Sequence, residues 1–247
     1  MLIKKDLSLF DIIGFIADIQ TSFTENYKRL ENKYDWKLPD ARLSVLYNCL
    51  DVSANARLSV GLLACAKSYG LSDKDWWGKW ALYDASVAFN RCPDFKIFVD
   101  DKCRQYIHRV QEQLLTTIQI YIESFLRNLG RQFDINEVYF WKLKEKLLEK
   151  ILKFKNDELA ALSAYQHLRN SLHNRGIHFN ENYPDLELDI NGYKFIFKHK
   201  ESIKISWEHI RALLIANSDL LNKIIDSSKV SRLVSFNDQN VVILTDG

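Results

Sequence analysis

Three of the six histidines of this 247-residue chain fall within one short run, His167-Leu168-Arg169-Asn170-Ser171-Leu172-His173-Asn174-Arg175-Gly176-Ile177-His178. The residue types suit phosphate chemistry. An imidazole exchanges a proton near neutral pH, because its unperturbed pKa is about 6.5. A guanidinium stays charged and presents a planar fork of donors that matches phosphate oxygens. A nearby amide can orient either group or hold a ribose hydroxyl. Arg169 and His173 stand four positions apart, so on a helix they are neighbours, about 5–6 Å between Cβ atoms, with Gln166 and Asn170 beside them. Arg169, His173 and Asn170 are therefore candidate catalytic residues, and Gln166, Asn174, Arg175 and His178 are candidate RNA-binding residues. This chemistry needs no metal and no other cofactor. The plainer alternative is a histidine near a helix C-terminus, held there by the helix dipole. A second arginine–histidine pair at the same spacing, Arg104 and His108, lies in a solvated-looking stretch.

The elements that would position this run can be read from apolar spacing. Asn156-Asp157-Glu158 looks like a cap and acidic first turn, followed by a buried stripe of Leu159, Leu162, Tyr165, Leu168 and Leu172, with Gly176 as a natural stop. Before it, a helix is expected over roughly 136–154, whose lysines and glutamates read as a solvated face. A long helix is expected over roughly 98–131, with Val110, Leu114, Ile118, Tyr121 and Phe125 on one strip. Leu186 to Ile190, Asn191-Gly192 and Tyr193 to Lys198 form a strong hairpin signal. Lys194, Lys198, His199, Lys200 and Lys204 make that hairpin basic, which suits either a phosphate backbone or a solvated edge. Ser206 caps a last helix from Trp207 to about Ile225. The tail, with Leu233-Val234 and Val241 to Leu244, reads as a second short hairpin.

Towards the N-terminus, helices are expected over roughly 7–34 and 41–69. A third, opened by Ser72-Asp73, carries Trp76, Trp77 and Trp80 and ends near Pro93. The eight glycines and three prolines are each under half of average usage, about 7% and about 5%. Scarce turn residues mean long elements, and the expected fold is mainly α: a long-helix bundle with a small β-hairpin near 186–199. Pro93 divides an N-terminal helical region, 1–93, from a helical bundle with the hairpin, 94–247, and the two can share one core.

A net charge of +2 excludes any argument for nucleic acid or membrane from the total alone. Cys49, Cys65, Cys92 and Cys103 form neither a metal-ligand pattern nor a disulfide framework and read as reduced thiols. Lys4 and Lys5 precede an apolar stretch, but Asp6, Asp11 and Asp18 interrupt it, so no signal peptide is expected. No run of 18 apolar residues occurs, so a membrane span is not expected either. The reading is cytoplasmic.

Arg169-Asn170 followed by His173, late in a core helix, resembles the signature of the HEPN superfamily. These are helical-bundle domains found among RNases of toxin–antitoxin, abortive-infection and CRISPR-associated systems. The resemblance covers roughly Phe98 to Ser227. Here three residues separate the arginine from the histidine, one fewer than the usual minimum in the family. The resemblance implies a metal-independent endoribonuclease or RNA-binding protein of a toxin or antiphage system. Two protomers would face each other across a composite cleft, and the partners would be RNA and an antitoxin-like protein. It also implies that His173 is the general acid or base, that Arg169 binds phosphate, and that Asn170 orients the reacting groups. Glu123 would be the polar residue carried by a preceding core helix; the residues themselves favour a glutamate lying in solvent. Against this stands a second reading, a non-catalytic helical module for dimerisation or protein interaction.

Overall fold

The computed structural model describes residues 7–69, 95–174, 176–179, 185–234 and 236; the side chains of Tyr69 and His173 are outside that description. The expected helix with Trp76, Trp77 and Trp80, the boundary at Pro93, Arg175, and the tail from 237 onwards therefore lie outside the described residues. Leu233 and Val234 are not in a strand.

The chain is mainly α, with one two-stranded antiparallel hairpin among the described residues. Helix α1 is Leu9–Tyr34, opened by a capping box in which the Ser8 hydroxyl accepts from the Asp11 N–H and the Asp11 carboxylate accepts from the Ser8 N–H. Its buried face repeats at helical spacing: Ile12, Ile16, Ile19, Phe23 and Leu30. Helix α2 is Ala41–Tyr69, and α3, Phe95–Arg131, is 37 residues long. A four-residue helix, α4 (Phe140–Leu143), runs into a π-helical segment, Lys144–Ile151. Helix α5 is Ala160–His173, β1 is Leu186–Ile190 and β2 is Tyr193–Phe197. Helix α6 is Trp207–Asp226, followed by a short α7, Ser228–Ser231.

The long helices pack in the order α3, α2, α1, α6, α5, and α5 returns to α3, where the buried Tyr165 hydroxyl donates to the Leu115 carbonyl. One hydrophobic cluster takes members from Ile12 through Phe236, so the N-terminal helices and the later ones share a core. The hairpin lies across the α5–α6 end, with Ile190, Phe195 and Phe197 buried. Asn191 and Gly192 both have positive φ, 53° and 82°, as the two-residue turn demands.

One expectation needs correction. The helix expected over 136–154 begins only at Phe140 and changes to π winding at Lys144. Lys150 then pairs with Glu145, five residues back, at 2.7 Å rather than at the i,i+4 spacing of an α-helix. By length and composition alone, α2 is apolar enough to cross a membrane: an 18-residue window within Ala41–Ser68 has mean hydropathy 1.2, with 28% of that window buried. In this fold it packs on α1 and α3, leaving Leu58 and Leu62 exposed.

Candidate functional site

Helix α5 has one face in the core and two polar edges. Ala161, Leu162, Ala164, Tyr165 and Leu168 are buried. On one edge sits Arg169, with 36% of its side chain exposed, donating from Nη1 to Glu123 Oε2 on α3 at 3.1 Å. The other oxygen of that carboxylate accepts from Arg127, at 3.0 Å from Nε and 2.5 Å from Nη2. Arg127 in turn donates to the carbonyls of Glu137, at 2.9 Å, and Val138, at 3.0 Å. One largely covered carboxylate thus holds two guanidinium groups, and the cluster keeps a net positive charge beside solvent. The pairing favours Glu123 as the polar partner of Arg169 over a glutamate left in solvent.

Gln166, Asn170 and Asn174 follow the outward face of α5, where Asn170 and Asn174 are exposed. His173 is the last residue of the helix, one turn beyond Arg169. A phosphate approaching this edge would meet the Arg169 guanidinium, with the Asn170 amide on the adjoining face. The backbone also places His173 on the same side of the helix as Arg169.

His178 departs from the expected RNA-binding strip. It is 3% exposed, and its ring packs edge-on to His167, centroids 5.4 Å apart, and against Phe197. The cause lies in the backbone. Gly176 takes φ +82°, its N–H donating to the Ser171 carbonyl, and the chain turns back. His178 then exchanges backbone hydrogen bonds with Glu201 and Lys200. The Ser171 hydroxyl donates to the His167 carbonyl at 2.9 Å, so it accepts from His178 Nδ1 at 3.2 Å, which fixes the proton on that nitrogen. Burial depresses the His178 pKa, with His199 adding to the effect and Asp185 opposing it. Burial, helped by His178 and Lys144, pushes His167 down to about 4. This pair is neutral, with His178 buried and His167 half-buried, and lies on the opposite edge of α5 from Arg169.

The remaining candidates separate further. His108 faces Glu112, 3.6 Å away, on an exposed stretch of α3 far along the chain from α5. Lys194 of the basic hairpin is paired with Glu187 at 2.8 Å, and Lys198 lies 3.9 Å from Glu201. Among the described residues no group of three His, Cys, Asp or Glu is arranged to hold a metal ion. Comparisons with protein-family models, with curated proteins and with solved structures find no match to this chain.

Proposed function

We propose that the chain is a HEPN-like, metal-independent endoribonuclease working on the α5 edge that carries Arg169, Asn170 and His173. The observation supporting it is the contact between Glu123 and Arg169, which fixes a guanidinium at a solvent-facing edge one turn before a histidine. Arg169 binds the scissile phosphate and offsets the charge that grows on its oxygens. His173 takes the proton of the ribose 2′-hydroxyl as that oxygen attacks phosphorus. The bond to the 5′-oxygen breaks, and that oxygen leaves with a proton. The products are a 2′,3′-cyclic phosphate and a 5′-hydroxyl. Two copies of the chain present their α5 edges to one RNA strand, in the cytoplasm.

Incubation of the full chain with RNA in EDTA tests this. Cleavage ending in cyclic phosphate is expected, and His173→Ala and Arg169→Ala should each lower it at least 100-fold, within the range that general acid–base and electrostatic groups contribute. Intact RNA with the wild-type protein, or equal cleavage by His173→Ala, overturns the reading. Exposed Leu58 and Leu62 on α2 favour the second reading, a non-catalytic interaction module; that one expects self-association with no cleavage.

A further inference from the structure

The guanidinium network behind Arg169 does not stop at Glu123. Arg127 carries it to the carbonyls of Glu137 and Val138, and the next residue, Tyr139, is 61% exposed. Trp141, two residues on, is 48% exposed. Together they set two large, flat aromatic side chains at the surface next to the network. Lys142 Nζ lies 5.5 Å from the centroid of the Tyr139 ring and 5.3 Å from that of Trp141. The loop leading to the rings borders a cleft of about 390 Å3 lined by Arg127, Arg131, Ile135, Glu137, Val138 and Leu143 among others.

The charge around the rings is lopsided. Lys142 lies over them, and around the loop that carries them the carboxylates are already engaged by other cations: Glu123 with Arg127 and Arg169, Glu137 with Lys146, and Glu145 with Lys150. Arg131 bonds through Nη1 to the neutral Asn128 side chain at 3.0 Å, so its charge is not cancelled there. An acidic polymer with flat apolar faces fits this surface. A single-stranded nucleic acid has both: its phosphates meet the cations, and its bases stack on the rings without regard to sequence. A duplex hides its bases and would gain only the electrostatic part.

We propose that Tyr139 and Trp141 form a stacking platform for unpaired bases of a single-stranded RNA, seating the strand whose phosphate is held at Arg169. This rests on the ribonuclease reading for its substrate class, and it adds a specificity for unpaired RNA that the Arg169 edge alone does not supply. The hydrogen-bonded path Arg169, Glu123, Arg127, Val138 carbonyl fixes the platform relative to the phosphate site.

The test uses the full chain and a labelled single-stranded 2′-O-methyl RNA, which lacks the attacking hydroxyl, beside the same strand with two adjacent abasic sugars. Wild type should bind the intact strand roughly 10- to 100-fold more tightly than the abasic one. Tyr139→Ala with Trp141→Ala should bind both at the weaker level, and Tyr139→Phe with Trp141→Phe should restore the preference. With cleavable RNA the alanine pair should raise KM and leave kcat within a few-fold. Equal binding of the two strands by wild type, or an undiminished preference in the alanine pair, overturns the platform while leaving cleavage at Arg169 standing. A change of mass in sedimentation for the alanine pair assigns the rings to a contact between copies and also overturns it. Intact stacking preference with no RNA cleavage sinks the nuclease reading alone. The wild-type comparison decides the matter even where the alanine pair fails to fold.

Discussion

Glu123 is the residue on which the site's geometry turns. It touches no substrate in the proposed reaction; it positions Arg169 while lowering the local positive charge. Glu123→Gln keeps the shape and removes the charge, so kcat for RNA should fall about tenfold through a looser arginine, while affinity for RNA holds or tightens. A KM–kcat split measures this, and a parallel fall in affinity would point to mere unfolding. The half-buried His167 gives a separate prediction. Its native pKa of about 4 lies below the ordinary 6.5, so the unfolded chain takes up that proton first. The stability due to its neutral form is therefore complete above about pH 6.5 and is lost as pH falls towards about 4. Discounted for the ring's partial contact with solvent, the loss is on the order of 1–2 kcal/mol. Urea midpoints between pH 7.5 and 4 should decline less steeply in His167→Gln. Neither arrangement is readable along the chain. Glu123 and Arg169 are 46 positions apart, and helical periodicity says which face a residue occupies, not which charge stands opposite. His178 follows a glycine stop and looks like loop; only the backbone pairing with residues near 200 buries it.

At the scale of elements, the long helices and the hairpin were legible because periodicity, the Ser206 cap and the Asn191-Gly192 turn all agree. The stretch after α3 was not. Its apolar residues, Phe140, Leu143, Leu147 and Leu148, suit an α-helix, and one wider turn of π winding leaves nearly the same pattern in sequence. What sets its place is Gly130. A Cβ there would stand 2.8 Å from Leu143 Cδ1 and 3.2 Å from the Ile135 carbonyl oxygen, so α4 can fold back on the end of α3 only against a bare Cα. Gly130→Ala gains helix propensity but must push α4 away, for a net loss of about 1–2 kcal/mol. Because the same loop carries the Glu137 and Val138 carbonyls, this variant should also slow RNA cleavage. Thermal melts and initial rates on one preparation check both, and an unchanged melting temperature would refute the packing argument.

At the scale of the whole molecule, Arg42 binds the first half of the chain to the last. It is 1% exposed, an unusual place for an arginine. Its guanidinium is paired with Asp40, lies 3.8 Å from the centroid of Trp36, and donates to the carbonyls of Val230, Ser231 and Leu233. Nearby, the Ala41 N–H donates to the Phe236 carbonyl at 2.7 Å. Along α1, Arg29 and Lys33 meet Asp226, Arg211 of α6 meets Asp18, and Asn26 donates to Ser218 in the interior. Arg42→Ala strands Asp40 and three carbonyls, at a cost of about 3–5 kcal/mol. Calorimetry should show one unfolding peak moved to lower temperature; a peak that splits in two would mean that the two halves hold separate cores. Sequence alone left that question open at Pro93, since no local pattern records a bond across 188 positions. The bond also dictates a timetable. On a ribosome, α1 and α2 emerge with the three carbonyl partners of Arg42 still missing and the apolar stripe of α1 uncovered on the side that α6 will take. Their final burial waits for synthesis of the segment around Val230, so nascent chains stalled before that residue should be open to protease where the folded protein is closed.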